Sequence, residues 1–192
     1  PTPDSRTWAI WFIADLEPVA PHSDKHAVHA QVPRWIAPPA GFVKINVDAA
    51  LSKNSCIATM AAVARDEAGK FMGASAVVVE GVLDPEIAEA MACREGFALA
   101  SDLAVQKIRL ATDCVNVVRS VPGTGMGPYG HIVQEISARR QSFAVTEIVH
   151  ERRGSNGDAH RLAKSSIHLS LGRHVWFLTS PDGVCILLLP TD

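Results

Sequence analysis

Three carboxylates stand where the local pattern has least need of them. Asp48 shares a strand face with Lys44 and Asn46, opposite the alternating Val43, Ile45 and Val47, and apolar Ala49, Ala50 and Leu51 follow it directly. Aspartate is disfavoured in strands, so Asp48 is either a solvent-facing residue or part of a site. Glu89 falls in the first turns of the first expected helix. Asp113 closes a short strand, where a helix N-cap is the default reading. Carboxylates that converge without a cation repel one another and raise their pKa values. Their convergence would make sense chiefly as a metal site, whereas separation would leave three ordinary acids.

The elements that must position them follow from periodicity and turn chemistry. Strands are expected over 42–51, 57–65 and 70–79, the last two joined by the polar, Gly-containing turn Asp66-Glu67-Ala68-Gly69, which suits a hairpin. The product is an antiparallel meander. Asp84-Pro85-Glu86 opens a helix running to about residue 100, with Asp84 as N-cap and Pro85 at the first helical position. Small residues Ala88, Ala92 and Gly96 on that helix permit close approach to a sheet. A strand over 106–111, a short helix to 118, a helix over 129–141, a strand over 143–150 and a final helix over 157–169 follow. The Gly-rich stretch 122–130 lacks the G-K-[ST] ending of a phosphate-cradling loop and reads as a linker. Runs at 175–178 and 184–189 look strand-like, without an assigned place.

Composition bounds the rest. With 192 residues, 47% of them hydrophobic and 20% charged, the chain has enough material for one good core and little room for a second domain. Residues 1–34 are Pro-rich and carry His22, His26 and His29 without a partner ligand at metal spacing, so they read as a flexible or loosely docked segment. The domain proper is expected over 35–170, bounded by Pro38-Pro39 and Gly41, with 171–192 as a C-terminal extension. The chain begins at Pro1 rather than methionine, which reads as a fragment or processed piece. No apolar run is long enough to span a bilayer, so a soluble chain without a membrane partner is expected. The four cysteines are widely spaced and form neither a zinc pattern nor a disulfide framework, consistent with an intracellular compartment, nuclear or cytoplasmic. Net charge is −2, against a globally basic nucleic-acid binder, yet residues 105–174 carry 10 Lys/Arg against 5 Asp/Glu. A basic second half can follow a phosphate backbone.

The order of elements, with Trp35, Pro38, Pro39, Gly41, Lys44, Asn46, Asp48, Ala49 and Ala50 at the opening, resembles the ribonuclease H family in its plant retroelement, reverse-transcriptase-associated form. The resemblance continues through Ala64-Arg65-Asp66 and Gly69, Ala88-Glu89-Ala90 with Ala92 and Gly96, Ala111-Thr112-Asp113, and 156–163. It covers about residues 35–178. It implies an α/β ribonuclease H-like fold, with a mixed five-stranded sheet of three antiparallel meander strands plus parallel strands, flanked by helices. It also implies a nucleic-acid-binding, metal-dependent endonuclease that cuts the RNA strand of RNA/DNA hybrids. Such enzymes use two magnesium ions held by carboxylates: one activates water and the other stabilises the leaving oxygen. Asp48, Glu89 and Asp113 match three of the ligand positions. The chain is expected to act as a monomer or as part of a larger polyprotein, or as a domesticated copy of one.

The fourth ligand position departs from the family's full set. Where that set has a final aspartate, this chain reads Asn156-Gly157-Asp158-Ala159-His160. His160 is therefore the expected fourth ligand, and imidazole suits manganese better than magnesium. Asp158, about 200° around the helix from His160, should point away. His150 matches a loop histidine implied to assist proton transfer or product release. Asn46, Asn116, Arg152, Arg153, Asn156, Arg161 and Lys164 are the expected nucleic-acid contacts, with Lys107, Arg109, Arg139 and Arg140 as further phosphate candidates, Ser55 as a further reader of the hybrid's minor groove, and Cys114 and Asn116 near the substrate path. The histidine at position 160 leaves a second reading open: a catalytically weak or inactive nucleic-acid-binding or interaction domain of retroelement origin.

Overall fold

The computed structural model describes residues 35–121 and 129–184. They belong to one of the two units into which the chain divides, residues 32–192. The expectations for the N-terminal segment and its three histidines, for linker residues 122–128 and for the run from 185 onward lie outside the described residues.

The strand alternation of the opening motif becomes β1 (Val43–Ser52), which pairs antiparallel with β2 (Ile57–Arg65), itself antiparallel to β3 (Phe71–Glu80). The β2–β3 turn closes as its composition requires: the Asp66 carboxylate accepts from the amides of Ala68 and Lys70, and Gly69 takes a φ of 82°. Next come α1 (Pro85–Asp102), β4 (Lys107–Thr112), α2 (Val115–Ser120), α3 (Gly130–Arg140) and β5 (Val145–His150). A 3-10 turn (Arg153–Asn156) leads into α4 (Gly157–Ser166), and β6 (Gly172–Trp176) ends the described elements. The sheet order is β5-β4-β1-β2-β3-β6, with β4 parallel to both β1 and β5.

Helix α1 starts where its cap chemistry says it should. Asp84 Oδ1 accepts from the amides of Glu86 at 2.8 Å and Ile87 at 3.1 Å, and Pro85 needs no amide partner there. Gly96 is the point of closest approach: a Cβ there would run into the side chains of Leu110 and Val47. One apolar cluster, including Ile45, Val47, Phe97, Leu110 and Ile136, joins α1 and α3 to the sheet. A second, smaller one joins α4 to it through Ala61, Val63, Ala159 and Leu162. Asp48 lies opposite Ala61 in the ladder and so belongs to the α4 side.

Two expectations are corrected here. Among the described residues the sheet has six strands, not five, because β6 adds antiparallel to β3, with Trp176 opposite Ala74 and Gly172 opposite Val78. At least that part of the expected C-terminal extension is integral to the sheet. A five-residue strand is defined by the edge it finds, and β3's open edge is remote in sequence. Asp113 is not a helix N-cap: Cys114 holds that place, and its amide is taken by Thr112 Oγ1 at 3.1 Å. Asp113 is thereby left outside the helix.

Candidate metal centre

The three carboxylates converge. Asp48 comes from the middle of β1, Glu89 from the first turns of α1 and Asp113 from the residue after β4, and each offers an oxygen within 4.8 Å of the others'. The parallel pairing of β1 with β4 brings Asp48 and Asp113 near one another, and the seat of α1 at Gly96 brings Glu89 down beside them. Glu89 is held in place by the Ala49 amide at 3.3 Å and the Thr112 hydroxyl at 3.4 Å.

The electrostatics are those of an acid cluster short of positive charge. Burial, reinforced by the charges of Asp48 and Asp113, pushes the Glu89 carboxyl up to about 8. Burial also raises Asp48 to about 6, with the nearby Asp113 adding to the effect and the His160 hydrogen bond opposing it. A hard divalent cation fits this donor set, since it would take carboxylate oxygens as ligands and relieve the repulsion that raises both values.

His160 is not in that group. Its Nδ1 lies 2.8 Å from Asp48 Oδ2, and its Nε2 lies 3.0 Å from a guanidinium nitrogen of Arg153. The histidine expected as a fourth ligand is in direct hydrogen-bond contact with Asp48. Asp158 points away, as its place on the helix requires, and pairs with Arg65 and Arg161. His150, at the exposed end of β5, bonds through Nε2 to the Asp113 carbonyl at 3.2 Å and so borders the site.

The expected nucleic-acid contacts divide. Asn46 and Asn156 are corrected: they are 3% and 1% exposed, Asn46 Nδ2 donates to Asn156 Oδ1 at 2.9 Å, and Asn156 Nδ2 donates to the Val47 carbonyl at 2.8 Å. They tie the start of α4 to β1. Arg161 is engaged by Asp158 and by the Gly183 carbonyl, Asn116 by Glu86, and Arg109 by Glu147. Ser55 bonds Ser52 in the β1–β2 turn. Arg152, Arg153 and Lys164 are exposed, on the segment and helix that also carry His160, and Lys107 and Arg139 are exposed elsewhere.

A buried ion pair went unforeseen. Lys44 is wholly buried, and its ammonium donates at 2.6 Å both to Glu151 and to the Ile36 carbonyl. Trp35 packs against it, the ammonium lying 5.2 Å from the ring centroid, and the indole N–H donates to Asn46 Oδ1 at 3.0 Å. The available signal was that Lys44 shares the Asp48 face of β1. Nothing local pointed to Glu151, 107 residues away.

Residues 46–166 match the protein family described as reverse transcriptase-like. The chain belongs to the reverse transcriptase-like family. It is 30% identical over 157 residues to a protein of Arabidopsis thaliana provisionally named a ribonuclease H protein. The match covers 80% of this chain and 25% of that one, so the chain spans about a quarter of the curated relative's length. Among solved structures, ribonuclease H1 of the archaeon Halobacterium salinarum superposes with a TM-score of 0.61 at 20% identity, covering 67% of this chain and 99% of that one. LC11 ribonuclease H1, solved with an RNA/DNA hybrid, gives 0.57 at 20% identity over 65% and 96% of the two chains. This reverse transcriptase-like chain therefore has a ribonuclease H-like fold.

Proposed function

We propose that the chain is a divalent-metal-dependent nuclease that hydrolyses the RNA strand of RNA/DNA hybrids. The observation that carries this reading is the meeting of Asp48, Glu89 and Asp113 within 4.8 Å, from three separate elements, at a cost in burial and mutual repulsion that a structural role would not require. Magnesium, or manganese in its place, suits the three carboxylates. When bound, such ions supply an activated water and charge relief at the leaving oxygen.

The chain's own residues do the rest. Asp48 and Asp113, on the neighbouring strands β1 and β4, form the fixed side of the site, and Glu89 closes it from α1. His150 donates from Nε2 to the Asp113 carbonyl, which leaves Nδ1 unprotonated in the neutral ring and ready to take a proton at the rim. Arg152 and Lys164, exposed on the segment and helix that carry His160, would supply phosphate contacts, which give affinity without reading sequence. Partnership with an RNA/DNA hybrid agrees with the hybrid bound in the structure of LC11 ribonuclease H1.

One observation favours a second reading, a binding domain with little or no catalysis: His160 is bonded to Asp48 rather than offering a further carboxylate. Cleavage of an end-labelled hybrid, with magnesium and then manganese, separates the two. The nuclease reading expects cutting of the RNA strand that Asp48→Asn lowers by more than about 100-fold, beyond the usual cost of losing an outer-shell partner. Hybrid binding without cutting under either ion, with cutting restored by His160→Asp, would establish the second reading instead.

A further inference from the structure

His160 has both ring nitrogens engaged, and the chemistry of its two partners leaves only one way to place its hydrogen. Arg153 approaches Nε2 at 3.0 Å. A guanidinium carries only N–H donors and stays protonated in proteins, so Nε2 must be the acceptor and bears no hydrogen. At the other end, Asp48 Oδ2 lies 2.8 Å from Nδ1, and an ionised carboxylate accepts only. Nδ1 must be the donor. Both ends demand the same neutral tautomer, with the hydrogen on Nδ1. In that tautomer the Nδ1 lone pair belongs to the ring and the Nε2 lone pair is taken by Arg153, so neither is left for a metal.

The segment carrying both residues is pinned against β1. Arg153 opens the 3-10 turn that ends at Asn156, and Asn156 donates to the carbonyl of Val47, the residue beside Asp48. Ala159, next to His160, is wholly buried in the α4 side of the core. These two ties set where the imidazole sits before any ligand arrives.

We infer that His160 is a positioning residue and not a metal ligand: Arg153 holds its Nε2, its Nδ1–H holds the Asp48 carboxylate, and the three carboxylates make the metal site without imidazole. The metal-binding half of this inference rests on the proposed function. The tautomer half stands without it.

Two measurements on the full 192-residue chain test it. Nitrogen-15 NMR of the histidine rings, without metal and above the ordinary imidazole pKa, should show His160 protonated at Nδ1 and bare at Nε2. The opposite tautomer overturns the inference whether or not any metal binds. Titration with manganese, followed by pulsed electron paramagnetic resonance, should show carboxylate ligation and no nitrogen coupling that His160→Ala removes. A coupling that vanishes in that variant makes His160 a ligand and overturns the inference. Failure of manganese to bind at all counts against the proposed function alone, and the NMR result then decides the tautomer. Where manganese binds, His160→Ala should weaken affinity about 10-fold, as expected for an outer-shell partner. His160→Asn, which keeps an N–H donor, should recover most of that loss. Arg153→Ala should weaken affinity by less, and adding it to His160→Ala should cause no further loss, because its favourable effect runs through the imidazole while its own charge, which acts on Asp48 directly, opposes a second cation. An additive loss in the double variant would overturn the role given to Arg153.

Discussion

Lys44 and Asp48 lie four residues apart on one face of β1, both are buried, and they are treated oppositely. Lys44 meets a carboxylate, a backbone carbonyl and an aromatic ring, so its charge is answered within the fold. Asp48 meets one imidazole N–H and faces two further carboxylates, so its charge is not. Burying a charge without a partner is costly. Glu151 offsets part of that cost at the Lys44 end, where burial still holds the ammonium pKa below its ordinary value, whereas at the Asp48 end the neighbouring Asp113 adds to it. The answered charge reads as scaffold, joining β1 to the segment that carries Arg152 and Arg153, and the unanswered one reads as a site awaiting a cation.

This contrast can be broken from either side. The largest effect on stability is expected from Lys44→Met, which strands Glu151 as a buried, unpaired carboxylate. Loss of one partner of a buried pair costs about 3–5 kcal/mol, read as a fall in the urea midpoint at unchanged slope. The double variant Lys44→Met with Glu151→Leu should recover most of it, because no buried charge then remains. A double variant as unstable as the single one would show that packing around Trp35, not the charge, is what matters.

At the other end, the metal-free protein should lose stability as pH rises. Glu89 has its folded pKa raised from 4.5 to about 8, so the folded state binds the proton more tightly than the unfolded chain does. The resulting stability is fully present below 4.5 and is lost as pH climbs through about 8; Asp48 adds the same sign between 3.8 and about 6. The loss should be on the order of 2 kcal/mol, since Glu89 is only partly shielded from water. Thermal unfolding across that range checks it, with Glu89→Gln flattening the slope and saturating magnesium doing so by occupying the site. A slope of opposite sign would mean that the cluster is not short of positive charge.

The smallest effect is expected at the exposed pair of Arg94 and Glu135, 3.1 Å apart on α1 and α3. Arg94→Ala should change stability by no more than about 0.5 kcal/mol, as screened surface pairs do. Any larger change would weaken the distinction between answered and unanswered charges, since it would make even a solvated pair part of the scaffold.

Much of this was legible in the chain itself. Alternation in β1 placed Lys44, Asn46 and Asp48 on one face, and Asp84-Pro85, Asp66 to Gly69 and Gly96 announced a cap, a turn and a close approach that the fold uses as expected. These are local matters: strand pleat, helix cap and turn geometry are settled within a few residues of sequence. The family's opening motif was equally visible, though three of its nine residues, Trp35, Lys44 and Asn46, proved to be bonded inward as scaffold.

What only the tertiary structure decided is which groups meet across long separations. Asp113 looks like a helix cap until Cys114 is seen to hold that place, and β6 looks like a tail until the open edge of β3 is beside it. Asn46 and Asn156 carry the polarity of groove readers but spend it on each other, 110 residues apart. The same holds for the site. Sequence supplied three acids and a histidine; the pairing of β1 with β4 and the packing of α1 and α4 against the sheet made the acids neighbours and put the histidine in hydrogen-bond contact with Asp48. A side chain's type is written locally, whereas its charge environment is the sum of what the rest of the chain brings within a few ångström.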